Sequence, residues 1–195
     1  MPRRHPSKLP RLWLMTDERM GDGLWQALEQ LPLGSGVVFR HYATSPAERR
    51  VLFARVERVA RSRRLVLVRA GLVRLGREQG VHGRYRRQGV TGSGQIRTWP
   101  AHDRIEALAG VRAGADLLFA SPIFATRSHP GSRGSGAIRA AFRIRGVPVP
   151  VIALGGMNEA RFRRVRPLGF YGWAAIDAWL GDESKPVRRR PKCMP

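Results

Sequence analysis

The sequence predicts an α/β protein built on a parallel sheet, and it favours the closed (β/α)₈ barrel over the open, doubly wound form. Three observations carry this. Short runs rich in Val, Ile, Leu and aromatic residues recur at 12–16, 37–40, 65–69, 95–99, 115–120, 149–154 and 170–175, as expected of strands buried on both faces. Helical patterns lie between them, and such alternation marks parallel α/β folds. No Gly-x-Gly-x-x-Gly follows the first run, where Thr16-Asp17-Glu18-Arg19 stands instead, so the open dinucleotide-binding form loses its usual support.

Each helical stretch has its own signal. Residues 45–61 open on Ser45-Pro46 with Glu48 following, an N-cap, a first-turn proline and a capping-box acid, and set Val51, Leu52, Val56 and Val59 on one face. Residues 102–114 carry Ile105, Leu108, Ala109 and Val111 and stop at Gly114. Asn158 caps a further helix running toward Pro167. The middle of the chain fits a full barrel less well. Residues 70–80 leave room for only a short helix, and 83–94, with Gly83, Gly89, Gly92 and Gly94, have no apolar period and read as a loop. The expectation is a barrel over 11–180 trimmed around its third and fourth helices. It is flanked by a basic extension at 1–10 and a charged, proline-containing tail at 181–195 whose composition suits disorder.

Composition narrows the class. At 195 residues the chain has enough length for one ordinary core. Its apolar runs are far shorter than the roughly 20 residues of a membrane span, and the basic, proline-rich start leads into no signal-like apolar stretch. A cytoplasmic protein without membrane contact is expected. Cys193 is the only cysteine, so an intrachain disulfide and a multi-cysteine metal site are excluded. The net charge of +22 attracts anions. Of the 36 basic residues only Lys8, Lys185 and Lys192 are lysine, which a GC-rich coding sequence would also produce. Arginine is spread along the chain without the interleaved aromatics of a nucleic-acid surface, so nucleic acid is not the favoured partner.

Three motifs in the second half carry a resemblance. The stretch GADLLFASPIFAT at 114–126, PVIALGGM at 150–157 and GWAAI at 172–176 resemble, in order and spacing, the sixth, seventh and eighth strands of thiamine phosphate synthases and the related thiazole tautomerases. The opening LWLMTD at 12–17, and His102 with Glu106, are fainter echoes. The resemblance implies a (β/α)₈ barrel that joins a pyrimidine methyl pyrophosphate to a thiazole phosphate and expels pyrophosphate with Mg²⁺ assistance.

Residue by residue, the resemblance places phosphate contacts at Gly155, Gly156 and Ile176, and pyrophosphate contacts at Arg40, Thr126, Ser128 and His129. Gly155-Gly156 follows a strand and precedes a helix, so backbone amides there can approach a phosphate; a plain tight turn is the alternative. His129 stands where the family has lysine and brings no fixed charge. Arg127 and Arg133 flank that loop. Arg40 is what remains of the family's Gln-x-Arg-x-Lys, with Val38 and Tyr42 at the flanking positions. The aspartates expected after the third and fourth strands as Mg²⁺ ligands are missing: the chain reads Arg69-Ala70-Gly71 and Val81-His82-Gly83-Arg84-Tyr85 there. Asp177 replaces a phosphate-binding serine and would repel a phosphate it faced, by about 4 kcal/mol at 4 Å and an effective dielectric of 20; a solvent-facing helix start is the alternative. A tautomerase would need an acid or base other than Pro122, and His82 and His102 are the candidates. The expected function is therefore a synthase-like protein of thiamine biosynthesis with a depleted catalytic set and a phosphorylated small molecule as partner. The alternatives are a non-catalytic binder of such a phosphate and an arginine-rich binder of nucleic acid or an acidic protein.

Overall fold

The computed structural model describes residues 9–85, 95–125 and 134–180. The 1–8 part of the basic extension, the tail at 181–195, residues 86–94 of the glycine-containing loop, and Thr126, Arg127, Ser128, His129 and Arg133 lie outside the described residues.

Strands β1 (Leu12–Met15), β2 (Gly36–Phe39), β3 (Val66–Ala70), β4 (Gly80–His82), β5 (Ile96–Ala101), β6 (Leu117–Ala120), β7 (Val151–Leu154) and β8 (Gly172–Ala175) pair in sequence order, and β8 pairs with β1. Every pairing is parallel, so the sheet is a closed barrel. The described helices are α1 (Gly23–Gln30), α2 (Pro46–Ser62), α3 (Arg104–Arg112), α4 (Ala137–Ile144) and α5 (Glu159–Val165).

Strand alternation sorts side chains into a lumen and an outer face. Trp13 of β1 meets Phe119 of β6 edge to face at 5.3 Å, and His82 of β4 meets the same ring at 5.3 Å. None of these strands is a neighbour of β6, so all three rings point inward. Gly36 makes this possible, because a Cβ there would collide with the Trp13 indole. On the outer face Phe39 stands edge to face against Phe53 of α2 at 5.2 Å. The outer faces of β1 to β3 pack under α1 and α2, and those of β5 to β8 under α3, α4 and α5.

Several sequence expectations are corrected in detail. β4 appeared in no apolar run: it has three residues, starts on glycine and ends on histidine. The capping box of α2 is present, with the Ser45 hydroxyl accepting from the Glu48 amide and donating to its carboxylate at 2.6 Å. Its buried stripe, however, is Phe53, Val56 and Ala60, and Val51 is 65% exposed. In α3 the buried positions are Ala107 and Gly110 instead of Ile105, which is 78% exposed. Small residues win there because the helix lies so close to β5 that a Cβ on Gly110 would stand 2.7 Å from the Trp99 ring. Asp103, accepting from the Glu106 amide at 2.8 Å, caps α3.

The described connection from β3 to β4 contains no helix. An irregular segment covers that stretch of barrel wall, and an ion pair fixes it. Arg69 leaves the outer face of β3 and donates to Glu78 at 2.8 Å, with the two side chains 3% and 0% exposed. Arg69 also donates to the Leu72 carbonyl, and Glu78 accepts from the Gly76 amide. Each member thus ties the segment back to the strand. Breaking a buried pair leaves one charge desolvated, so Glu78→Gln is expected to lower unfolding free energy by about 3–5 kcal/mol, while Arg69→Met with Glu78→Leu recovers most of that loss. Urea denaturation at pH 7 measures both; equal losses in the single and double variants would contradict this account.

Candidate functional site

All eight strands deliver their carboxyl ends to one rim, where ligands bind in barrels of this type. At the β1 and β2 ends, Thr16 joins the two strands. Its amide donates to the Val38 carbonyl at 2.9 Å, and its hydroxyl accepts from the Arg40 amide at 3.0 Å and shares a 2.9 Å hydrogen bond with Nδ1 of His41. His41 is buried, takes a left-handed φ of 38° and stacks on Phe39 at 4.7 Å. Arg40, one of the expected contacts, is oriented by Nε to the Thr16 carbonyl at 2.7 Å and Nη2 to Asp17 at 3.0 Å. Asp17 also accepts from Arg19 at 2.7 Å, and this bond, with Arg40 adding to it, holds its carboxyl below the usual range. Burial lowers the pKa of Arg40, and Asp17 opposes that shift.

Guanidinium groups dominate the next sector. Arg49 of α2 donates to the carbonyls of Arg40 at 3.0 Å and Ala70 at 2.5 Å, bridging the ends of β2 and β3. Arg84, two residues beyond β4, donates to Glu106 from its Nη2, which lies 3.3 Å from Nδ1 of His102. Glu106 also accepts from the His102 ring at 2.8 Å and from its amide at 2.8 Å. Burial pushes its pKa up, but these bonds outweigh it and the net direction is down. Among the described residues no group of three His, Cys, Asp or Glu is placed to hold a metal ion.

His82 lies below this rim, its Nδ1 sharing a 2.8 Å hydrogen bond with the Thr98 hydroxyl. Burial, reinforced by the nearby charges of Arg40 and His102, pulls its pKa down to about 3. It is neutral at pH 7, so it carries no imidazolium proton there. His102 is exposed and committed through Nδ1 to Glu106.

The β6, β7 and β8 ends form the other half of the rim. Gly155 and Gly156 follow β7 with φ of 97° and 57°, a backbone that only glycine adopts freely. The loop after β6 lies against them: Ile123 donates to the Leu154 carbonyl at 2.9 Å and Phe124 to the Gly155 carbonyl at 3.1 Å. A Cβ on Gly155 would stand 2.9 Å from Pro122, and one on Gly156 would collide with the Ala125 carbonyl. Close packing of two loops thus accounts for both glycines. Among the described residues no carbonyl accepts from the amide of either glycine. Asn158 caps α5, accepting from the Arg161 amide at 2.9 Å, and Arg161 returns to bond the Gly156 carbonyl and lie over Phe124 at 5.1 Å. Ile176 follows β8 and is buried. Asp177 begins a 3-10 turn, half-buried instead of solvent-facing, and adds to the hold of Asp17 on the Arg19 proton.

Arg40, Gly155, Gly156 and Ile176 therefore share one rim on strands β2, β7 and β8, with β1 between. Sequence reading passed over Arg49, Arg161 and His41. In so arginine-rich a chain nothing in the sequence separates the first two from their neighbours, and a lone histidine after a strand is equally silent.

The family model described as thiamine monophosphate synthase matches residues 16–179. The chain belongs to the thiamine monophosphate synthase family. Among its relatives, the thiamine-phosphate synthase of Chloroflexus aurantiacus is 39% identical over 91 residues, 46% of this chain and 42% of that protein. The thiamine-phosphate synthase of Desulfitobacterium hafniense strain Y51 is 34% identical over 95 residues, 48% of this chain and 46% of that one. These matches span under half the length of either relative. Thiamine phosphate pyrophosphorylase from Pyrococcus furiosus has the same fold, with a TM-score of 0.71 and 24% identity over 90% of this chain and 89% of that one. No described helix is long and apolar enough to cross a membrane.

The low pKa of His82 has a consequence for stability. Its folded value of about 3 lies below the ordinary 6.5, so below pH 6.5 the unfolded chain binds a proton that the folded chain refuses. Stability falls as pH drops from 6.5 toward 3, by about 1.4 kcal/mol per pH unit from this residue. His41, shifted the same way by burial, adds to the slope. His82→Asn should flatten the stability profile between pH 6.5 and 4, measured by urea denaturation, and the His82 ring resonances should not titrate above about pH 4.

Proposed function

We propose that the chain is a cytoplasmic thiamine phosphate synthase, joining a pyrimidine methyl pyrophosphate to a thiazole phosphate. The thiazole nitrogen forms a bond to the pyrimidine methylene carbon as the bond from that carbon to the pyrophosphate oxygen breaks, and pyrophosphate leaves with the electron pair. Such a step needs one anion cradle to hold the thiazole phosphate and cations over the departing pyrophosphate. The observation that carries the reading is the pair of consecutive amides at Gly155 and Gly156, on the rim and without an acceptor among the described residues, in a chain matched by the family model from 16 to 179. Two such N–H groups suit a phosphate oxygen. In this reading the backbone at Ile176 completes the cradle, and Arg40 faces the pyrophosphate with Thr126, Ser128 and His129.

Incubation with both phosphorylated precursors should yield thiamine phosphate and pyrophosphate in equal amounts. Gly156→Ala should cut kcat/KM by about 10–100-fold, a loss of about 1.4–2.7 kcal/mol, mostly by raising KM for the thiazole phosphate. The absence of thiamine phosphate under all metal conditions would overturn the proposal.

A further inference from the structure

The family resemblance implies Mg²⁺ between carboxylates after the third and fourth strands, and the donors present there do not fit that ion. The β3 end offers Ala70, whose carbonyl is taken by the Arg49 guanidinium at 2.5 Å. Beyond β4 stand Gly83 and Arg84. The carboxylates described on the rim have partners of their own: Asp17 is held by Arg19 and Arg40, Glu106 by Arg84 and His102, and Glu18 accepts from the Ala43 amide. Mg²⁺ requires near-octahedral oxygen ligands and sheds its water reluctantly; a rim of guanidinium groups repels it.

The same substitutions build a different site. Where a carboxylate would hold the metal after β3, Arg49 places positive charge, and Arg84 does so after β4. Arg40 closes the sector from β2. Strands β2 and β4 both flank β3, so Arg40 and Arg84 stand on the same rim on either side of the β3 end. Among the described residues their hydrogen bonds orient them without using all their donors. Arg40 uses Nε and Nη2 and keeps Nη1, while Arg84 uses Nη2 and keeps Nε and Nη1. Guanidinium forks bind paired phosphate oxygens bidentately and carry their charge at every accessible pH.

We infer that this rim binds the pyrophosphate group of its ligand through the guanidinium groups of Arg40 and Arg84, positioned by Asp17 and Glu106, without a divalent metal ion. The inference rests on the synthase reading for the identity of the complete ligand; the anion site itself is independent of it. Arg49 is a positioning residue: its Nε and Nη2 tie the ends of β2 and β3 together.

Calorimetry with inorganic pyrophosphate tests this on the full chain, first in EDTA and then in excess Mg²⁺. Binding is expected in EDTA, with Mg²⁺ weakening it because the ion competes for the same oxygens. Arg84→Gln, at a side chain half exposed to solvent, should weaken binding at least 10-fold in EDTA, and Arg84→Lys should restore part of the loss. Binding that requires Mg²⁺, or that Arg84→Gln leaves unchanged, overturns the inference, as does no binding in either condition. Product formation run in parallel separates the two proposals. Thiamine phosphate made only with Mg²⁺ upholds the synthase reading and defeats this one. Metal-free pyrophosphate binding without product under any condition does the reverse.

Discussion

Closure between β1 and β8 is the constraint on which the rest of the structure depends. Once the eighth strand pairs with the first, the sheet has no free edge, every strand runs the same way, and every carboxyl end reaches the same rim. The closed lumen must then be filled. Trp13 and His82 do this with rings that both meet Phe119 across the barrel, and Gly36 yields the space that Trp13 occupies. Burial of His82 follows from that filling, and its depressed pKa follows from the burial. A property of the candidate site is thus set by how the barrel is packed.

The outer wall obeys a second requirement, because each strand's outward side chains need cover. Around β1 to β3 and β5 to β8 amphipathic helices supply it. Beside β3 and β4 the polypeptide between the strands is short, and a buried arginine and glutamate do with directed hydrogen bonds what a helix does with apolar area. The two solutions differ in character. Apolar cover tolerates repacking among residues of similar volume, whereas the ion pair tolerates only joint replacement.

The parts of the fold that could be read from the sequence are those decided locally. Ser45, Pro46 and Glu48 define the start of α2 through contacts within one turn, and runs such as Val151–Leu154 are too apolar to be anything but buried. The parts that could not be read are decided by neighbours. Gly80–His82 becomes a strand because β3 and β5 flank it, and Val51 faces solvent because α2 carries more apolar residues than one face needs. The site divides in the same way. The glycine pair and Arg40 stood out because a known pattern surrounds them. Arg49 and Arg161 act through backbone carbonyls far away in the chain or folded back upon it, and no spacing announces such contacts.

The seam between the β6 and β7 loops makes them one mechanical unit. Ile123 and Phe124 are hydrogen-bonded to Leu154 and Gly155, and the glycines leave no slack between the backbones. Any displacement of the Gly155-Gly156 turn is therefore carried directly into the Pro122–Ala125 stretch, so the ends of β6 and β7 move as one piece.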